Sequence, residues 1–394
     1  MKSAVNAVVA GHICLDIIPG FTPGEDREIN ELFVPGKLIK MDRIAISLGG
    51  AVPNTGIALS KLGINTSLMG KAGGDYFGSL IKDIISVENI DSRILISNED
   101  TTSYSVIFAN PGYDRIIFHH TGANDTFCAD DLNYSSFNNT NLFHFGYPSL
   151  MKQMYENEGE ELLLMLKKIK EVGVTTSVDM SLPDPKSSEG MVNWQKILSK
   201  ALKYVDIFIP SIEEILYMID IDVYNDLKND NVNTDPLDKL NIDILPALGE
   251  KLIKMGVGIV VLKCGSKGYY IKTANKARLI AMGRGKPDDI DAWIDREAHC
   301  EAYSVSPFCS AAGAGDNSIA GFLAAFLRNM SMEDCIKTAC LVGAQNVLVY
   351  DTLSGVKSWQ ETMQQLNSDM KFIALNEKTK YWQYDNNKNI RYRK

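Results

Sequence analysis

The stretch that points most directly to a fold reads GAGDNSIAGFLAAFL and covers residues 313–327. Its small residues end in Asp316, and the apolar residues after it predict a buried helix. Gly313 and Gly315 have no Cβ, so a ligand could approach their backbone closely. Free N–H groups at a helix start favour negative charge. The pattern therefore indicates an anion site at the start of a helix, although an ordinary N-cap begins in the same way.

A carboxylate beside an anion site is best explained as a base. Asp316 would repel a bound phosphate, but it could take a proton from a hydroxyl group. The backbone N–H groups of Gly313, Ala314, Gly315 and Asp316 would meanwhile stabilise charge on a transferred phosphoryl group. The stretch thus predicts a small-molecule kinase with an anion hole at residues 313–316 and Asp316 as general base.

Outward from this helix, apolar strands alternate with helices. Strands are predicted at residues 5–18, 66–71, 142–145, 176–179, 207–209, 258–263 and 268–272, and helices at 54–62, 77–85, 159–172, 194–202 and 248–255. This alternation predicts an α/β fold with a mostly parallel central sheet and helices on both faces. Ligands bind such sheets at the carboxyl ends of the strands, where Asp16, Asp179 and Lys263 are predicted to lie.

Two segments do not follow the alternation. A hairpin is predicted from residues 103–109 and 115–119, across a turn at 110–114. With the irregular region 20–40, it predicts a small β lid formed by segments at about 16–48 and 101–122. The lid belongs to one α/β kinase domain at residues 1–375, which a C-terminal tail follows at 376–394.

Two further stretches resemble insertions. Residues 220–243 are crowded with Asn and Asp, which predicts a solvated loop. Residues 283–306 are polar, with a short helix predicted near 290–297.

Composition limits the class of partner. The 394 residues carry a formal net charge of −9 without a basic stripe, which argues against nucleic acid and anionic membranes as partners. The first apolar segment is too short and too polar for a signal peptide or a membrane span, so a cytoplasmic protein is expected. No P-loop, protein-kinase or dinucleotide-binding signature occurs.

Cysteines and histidines show no metal-binding spacing. The seven cysteines are scattered and lack a CxxC pair, which argues against a disulfide framework or a zinc site. The histidines His119, His120 and His144 are predicted to be lid or core residues.

Several ordered segments are together similar to the signatures of one family. Residues 49–54 read GGAVPN, 74–78 GDYFG, 122–124 GAN, 210–214 PSIEE and 263–268 KCGSKG, with GAGD at 313–316. Over most of its length the chain thus resembles the PfkB-type carbohydrate kinases, the ribokinase family. The resemblance implies a ribokinase-like fold and ATP-dependent transfer, assisted by Mg²⁺, of the γ-phosphoryl group to a hydroxyl, a CH₂OH, of a sugar or sugar derivative.

The resemblance also implies site residues. The substrate side would use Asp16, Gly49, Gly50, Asn54, Asp75 and Asn124. The nucleotide side would use Lys263, Gly265, Gly268 and Asn346, and Glu214 would position the metal ion. Each polar residue has a structural alternative: a turn or cap for Asp16, Asp75, Asp179 and Asn54, a solvated helix acid for Glu214, and ion pairing for Lys263.

Four positions depart from the family pattern: Ser211, Ala311, Ala312 and Ser318. They put metal placement and turnover rate in doubt and suggest a divergent subgroup. A nucleoside kinase of the same family and a catalytically idle sugar-binding regulatory protein therefore stay as alternatives. A monovalent-cation requirement and a homodimer paired through the lid hairpin are left open.

Overall fold

The computed structural model describes residues 6–21, 32–109, 115–228, 236–375 and 379–394. The strands are β1 Asn6–Gly11, β2 Cys14–Pro19, β3 Ile44–Gly49, β4 Asn65–Gly73, β5 Asp91–Ser97, β6 Tyr104–Phe108, β7 Ile116–His120, β8 Leu142–Gly146, β9 Thr175–Asp179, β10 Ile207–Phe208, β11 Ile259–Lys263, β12 Tyr269–Thr273, β13 Glu297–Cys300, β14 Trp382–Asp385 and β15 Ile390–Arg393. The helices are α1 Ala51–Lys61, α2 Tyr76–Val87, α3 Lys152–Tyr155, α4 Glu160–Glu171, α5 Ser188–Met191, α6 Trp194–Ala201, α7 Ile212–Ile219, α8 Ile221–Lys228, α9 Leu245–Lys254, α10 Lys276–Ile280, α11 Ala314–Phe326, α12 Met332–Asn346 and α13 Trp359–Leu366.

The larger sheet has eleven strands in the order β14-β15-β13-β12-β11-β10-β9-β8-β1-β4-β5. Every neighbouring pair from β5 to β11 is parallel. The remaining pairs, from β11 to β14, are antiparallel. This arrangement confirms the predicted mostly parallel sheet, and it brings the carboxyl ends of the parallel strands to one edge.

Successive residues of the central strands pack into two separate apolar clusters, one on each face of the sheet. Val9 and Val261 belong to one cluster, whereas Val8 and Leu262 belong to the other. All four side chains are at most 4% exposed. Burial on both faces explains why these strands are continuous apolar runs rather than alternating ones.

The smaller sheet is the lid, with strand order β3-β2-β6-β7. Strands β6 and β7 form the predicted antiparallel hairpin, whereas its turn at 110–114 and lid residues 22–31 lie outside the described residues. Strand β3 was not predicted. Its sequence, IAISLG, is apolar at the first three positions, yet these three residues are exposed at its outer end.

The strand predicted at 5–18, broken by Gly11, is two strands in different sheets. Gly11 ends β1 with a φ of 125°. A Cβ at this position would lie 2.3 Å from the carbonyl oxygen of Gly146, so the close approach of β1 to β8 requires glycine. Consequently Asp16 lies within lid strand β2, not at the carboxyl end of a central strand as predicted.

Both predicted insertions contain regular structure. Residues 221–228 form helix α8 instead of a loop, and the Tyr224 ring packs edge-on against Tyr217; residues 229–235 lie outside the described residues. Near 290–297 the structure has a short 3₁₀ turn at Asp291–Trp293, and Glu297 then begins strand β13.

The described part of the predicted C-terminal tail is a hairpin at the edge of the large sheet. Strands β14 and β15 pair with each other, and β15 also pairs with β13. Trp382 and Ile390 are 3% and 0% exposed. Burial of these two side chains joins the segment to the domain, which its polar composition did not indicate.

Two simpler expectations concern cysteines and membranes. All seven cysteines have free thiols. Among the helices of the described residues, none combines the length and the apolar character needed to cross a bilayer.

Candidate active site

Polar side chains from four distant parts of the chain meet at the carboxyl edge of the parallel strands. Asp179 ends β9, Lys263 ends β11, and Tyr147 directly follows β8. Asp316 lies in the first turn of helix α11. The structure therefore brings the predicted base, Asp316, to the edge of the sheet where ligands bind in this class of fold.

Asp316 is 4% exposed and accepts hydrogen bonds on both carboxylate oxygens. Asn54 donates its side-chain amide to Oδ2 at 2.9 Å, and the Tyr147 hydroxyl donates to Oδ1 at 2.7 Å. Burial raises the pKa of Asp316, although Lys263 and the two donors act in the opposite direction. A carboxylate with a raised pKa that is held in place could accept a proton from a bound hydroxyl.

The start of helix α11 carries no side-chain cap. Gly313 occupies the N-cap position with a φ of 71°. A Cβ there would lie 2.8 Å from the Cβ of Thr352, so only glycine fits. Gly313 is thus a glycine N-cap, and within the described ranges no side-chain oxygen accepts the first N–H groups of this helix, so the N-cap and the anion-site interpretations are both compatible with the structure.

Lys263 brings a positive charge to the same helix start. Its ammonium group lies 2.6 Å from Oδ1 of Asp179, and a Cβ built on Gly315 would be 3.9 Å from it. Burial lowers the pKa of Lys263, but Asp179, Glu214 and Asp316 outweigh this effect and raise it overall. Lys263 thus forms an ion pair and also lies beside the proposed anion site. Both roles predicted for it, nucleotide binding and ion pairing, are compatible with the structure.

Asp179 is fully buried, and the other oxygen of its carboxylate, Oδ2, has no hydrogen-bond partner in the described part of the chain. Burial raises the pKa of Asp179 well above its ordinary value, and the nearby carboxylates of Glu214 and Asp316 add to this effect. An unpartnered buried oxygen of this kind could accept a hydrogen bond or coordinate a cation.

Glu214 has a capping role in addition to any role toward a metal ion. One of its carboxylate oxygens accepts the backbone N–H of Ser211 at 2.6 Å, and the Ser211 hydroxyl accepts the N–H of Glu214 at 3.2 Å. This reciprocal pair is a capping box. Ser211, where the chain departs from the family pattern, thus caps the start of helix α7. Burial raises the pKa of Glu214.

The predicted acceptor residues Asp16, Gly49 and Gly50 lie together where the lid joins the central sheet. A Cβ on Gly49 would lie 2.3 Å from Oδ2 of Asp16. Gly50 has a φ of 93°, and a Cβ there would be 2.6 Å from Nδ1 of His12. Burial raises the pKa of Asp16. The two glycines thus leave room for a carboxylate and an imidazole beside the backbone.

Two other predicted substrate residues make internal contacts. Asp75 caps helix α2 by accepting the N–H of Gly78 at 2.9 Å, and its oxygens also accept the N–H and hydroxyl of Thr102. Asn124 is fully buried and exchanges hydrogen bonds with the backbone of Ile13. These contacts give both residues structural roles, and the structure does not bring either one to Asp316.

The predicted nucleotide residues show two kinds of contact. Gly268 has a φ of 91°, and a Cβ there would be 2.0 Å from the carbonyl oxygen of Cys300, so its absence of a side chain serves packing. Gly265 precedes it in the same β11–β12 connection with a φ of 54°. Asn346 donates to the carbonyl of Ala312 at 2.6 Å, while its buried Oδ1 has no partner in the described ranges.

Tyr147 is a site residue that sequence analysis missed. It has a φ of 64°, unusual for a residue that is not glycine. No spacing or motif marks it, and only its place after a buried strand, in the sequence FGYP, could have drawn attention.

The departure from the family pattern at Ser318, two residues after Asp316, has a structural explanation. The Ser318 hydroxyl forms a hydrogen bond with the hydroxyl of buried Tyr269.

Comparison with protein families and known proteins identifies relatives of the chain. The model of the pfkB family of carbohydrate kinases matches residues 24–359. An uncharacterized sugar kinase of Archaeoglobus fulgidus is 25% identical over 300 residues, covering 76% of this chain and 98% of that protein. A nucleoside kinase of Methanothermobacter thermautotrophicus is 25% identical over 352 residues, covering 87% of this chain and 90% of that protein.

Solved structures are similar in fold. The ribokinase of Arabidopsis thaliana, complexed with ribose and ATP, superposes with a TM-score of 0.66 at 18% identity, covering 93% of this chain and all of that one. A nucleoside kinase of Methanocaldococcus jannaschii gives a TM-score of 0.61 at 19% identity, covering 92% of this chain and 97% of that one. The predicted ribokinase-like fold is confirmed.

Proposed function

The chain belongs to the pfkB family of carbohydrate kinases and is an ATP-dependent carbohydrate kinase, and we propose that Asp316 is the base that activates the acceptor hydroxyl. The observation that carries this assignment is the buried carboxylate at an uncapped helix start, held by Asn54 and Tyr147 with Lys263 nearby. The acceptor would be a hydroxyl, a CH₂OH, of a sugar or sugar derivative. Asp316 would take its proton while the oxygen attacks the γ-phosphoryl group of ATP.

The phosphoryl side of the reaction uses the backbone of residues 313–316. The Ala314 N–H donates to the carbonyl of Ala311 at 3.2 Å, but the N–H groups of Gly313, Gly315 and Asp316 and the Lys263 ammonium would stabilise the negative charge that spreads over the transferred group. Because both are held by the fold before substrate binds, little reorganisation is needed during transfer. The conformation of Gly313 and the Lys263–Asp179 ion pair support this proposal.

The residues around Lys263 also fit a Mg²⁺ ion. Magnesium prefers oxygen ligands, directly or through water, and the site contains the carboxylates of Asp179 and Glu214, with Oδ2 of Asp179 unpartnered among the described residues. These two residues would hold the ion. When bound, Mg²⁺ neutralises charge on the nucleotide phosphates.

Tyr147→Phe tests how Asp316 is positioned. The Tyr147 hydroxyl favours the charged carboxylate and so lowers the pKa of Asp316. Without that hydroxyl the pKa should rise, and a larger fraction of the base should be protonated in acid. We expect kcat/KM to fall about tenfold on the acidic side, the scale of one hydrogen bond to a charged group, and to recover as pH rises.

A pH–rate profile of this variant provides the measurement, with Tyr155→Phe as the control. The Tyr155 hydroxyl contacts Ser188, not Asp316. Its removal should therefore not change kcat/KM on the acidic side of the pH–rate profile. Equal losses at all pH values would show that Tyr147 does not tune Asp316.

Gly49→Ala tests the acceptor side. The added Cβ would lie 2.3 Å from Oδ2 of Asp16 and would displace that carboxylate. Loss of a charged hydrogen bond to the sugar should lower kcat/KM for the acceptor about 10–100-fold, with ATP affinity unchanged. An unchanged kcat/KM for the acceptor in Gly49→Ala would show that Asp16 does not bind the acceptor.

Sugar and nucleoside acceptors are separated by one assay. ATP consumption with Mg²⁺ is measured against sugars, sugar acids, sugar phosphates and nucleosides, with Asp316→Asn as the control. Turnover on a sugar supports the proposal, whereas turnover only on nucleosides supports the alternative suggested by the relative named a nucleoside kinase. Binding of ATP or sugar without turnover would favour the idle binding protein.

A cytoplasmic location stays a prediction, and a homodimer and a monovalent-cation requirement stay open. The lid does expose apolar side chains, with Ile117 and Phe118 about half exposed at 49% and 50%. A second copy of the chain could cover them.

A further inference from the structure

Two histidines and a cysteine from distant parts of the chain meet where the lid joins the central sheet. His12 lies in the link between β1 and β2, Cys14 is the first residue of β2, and His119 lies on lid strand β7. One possible ligand atom from each lies within 4.8 Å of the others. We propose that these three side chains bind a divalent transition metal ion of the Zn²⁺ type.

The distances suit such an ion. The Nε2 atoms of His12 and His119 are 3.1 Å apart. Two imidazole nitrogens bound to tetrahedral zinc at about 2.0–2.1 Å would be separated by roughly 3.3 Å. Only small movements are therefore needed to replace the direct contact between the rings by a shared metal ion.

Ser105 would orient the ligand side chains from outside the coordination shell. Its hydroxyl lies 3.1 Å from Nδ1 of His119, so the Nδ1–H can donate to it and leave Nε2 free to coordinate. The same hydroxyl is 3.7 Å from Sγ of Cys14. A partner on the second ring nitrogen is the usual way in which a metal-binding histidine is oriented.

The surroundings leave both imidazoles neutral. Burial lowers the pKa of His12 and of His119, so their lone pairs are available near neutral pH. His12 is 2% exposed, and its Nδ1 has no hydrogen-bond partner in the described residues. The contact between the two rings therefore leaves this buried histidine incompletely satisfied, and among the described residues only the His119 side chain contacts its Nε2.

The donor set indicates the class of metal. Two imidazoles and one thiol suit Zn²⁺ or Co²⁺, whereas Mg²⁺ requires oxygen ligands. Burial and the neighbouring Asp16 raise the pKa of Cys14, so its sulfur is a thiol in the free protein. Binding would form one metal–sulfur bond and release one proton to solvent, and affinity should consequently fall as pH falls.

A bound ion would also connect two elements of the proposed acceptor site. It would tie lid strand β7, through His119, to the β1–β2 link, through His12. Cys14 is itself 3.4 Å from Oδ1 of Asp16. The three side chains by themselves support the metal site, which does not depend on the kinase assignment.

Cobalt binding tests the proposal. The full chain, stripped with a chelator, is titrated with Co²⁺ while thiolate-to-cobalt absorption is recorded, and Zn²⁺ is then added as competitor. We expect one equivalent of Co²⁺ to bind with this absorption and Zn²⁺ to displace it. Cys14→Ser should abolish the thiolate absorption, His119→Gln should weaken binding more than tenfold, and Ser105→Ala should weaken it about 10–100-fold.

Matched controls come from the same chain. Cys309→Ser removes a free thiol outside the cluster, and His120→Gln changes the next residue on β7, whose ring contacts Thr101; neither should alter binding. Absence of thiolate absorption in the native chain, or its persistence in Cys14→Ser, would overturn the proposal. If Cys14→Ser does not fold, the substitution on lid strand β7 decides the question: unchanged affinity in His119→Gln would overturn the proposal equally.

Discussion

Asp316→Asn should lower kcat about 10²–10⁴-fold, the usual contribution of a general base. The asparagine amide cannot take the proton of the acceptor hydroxyl. Its carbonyl oxygen can still accept one of the hydrogen bonds that Asn54 and Tyr147 donate to the native carboxylate. Replacing a buried carboxylate with a raised pKa by a neutral group also removes a desolvation cost. The variant is therefore expected to fold and to bind ATP.

The measurement compares turnover with nucleotide affinity in the same preparation. Lost turnover with retained ATP affinity would identify a chemical role for Asp316. Near-normal turnover would show that this carboxylate is not the base. Equal loss of both properties would indicate a defect in the helix start rather than in proton transfer.

Lys263→Met should have the largest effect on stability. Asp179 is fully buried and would lose its 2.6 Å ion pair, while Glu214 and Asp316 lose the same nearby cation. Breaking a buried pair by removing one partner costs about 3–5 kcal/mol of unfolding free energy. Because the pKa values of all three carboxyl groups are already raised in the folded chain, the loss should be greatest at neutral pH and shrink as acid protonates them.

Denaturant unfolding at neutral and mildly acidic pH measures this effect, and Lys170→Met is the matched control. Lys170 pairs with the equally buried Asp206, but Arg278 also pairs with that carboxylate and would remain after the substitution. The control should consequently lose less stability. Equal losses in the two variants would contradict the view that Lys263 alone compensates a cluster of acids.

The apolar periodicity predicted the central architecture because it reports burial. Strands such as β1 and β11 are buried on both faces, and the sequence marks them with continuous apolar residues. Edge strand β5 was missed for the same reason, since only Ile94 among its seven residues is buried. The hairpin of β14 and β15 was also missed, because a few buried side chains in a polar segment attach it to the sheet.

Local chemistry and distant contacts contributed differently to the candidate site. The helix start at Gly313 and the acid that follows it could be predicted, because a turn, a cap and a helix depend on residues close together in the chain. The capping role of Glu214 is equally local, and Ser211 three residues earlier is its partner. Its place near Lys263 is not local and could be inferred only from a resemblance.

The alternation of strands and helices, a helix start at Gly313 and the choice of Asp316 as candidate base follow from local sequence alone. The contact between Tyr147 and this acid, and the convergence of His12, Cys14 and His119, are visible only in the folded chain. Such contacts depend on register between strands and helices more than a hundred residues apart. A shift of one residue along a strand would turn each side chain to the opposite face, and no pattern within a short stretch of sequence records that register.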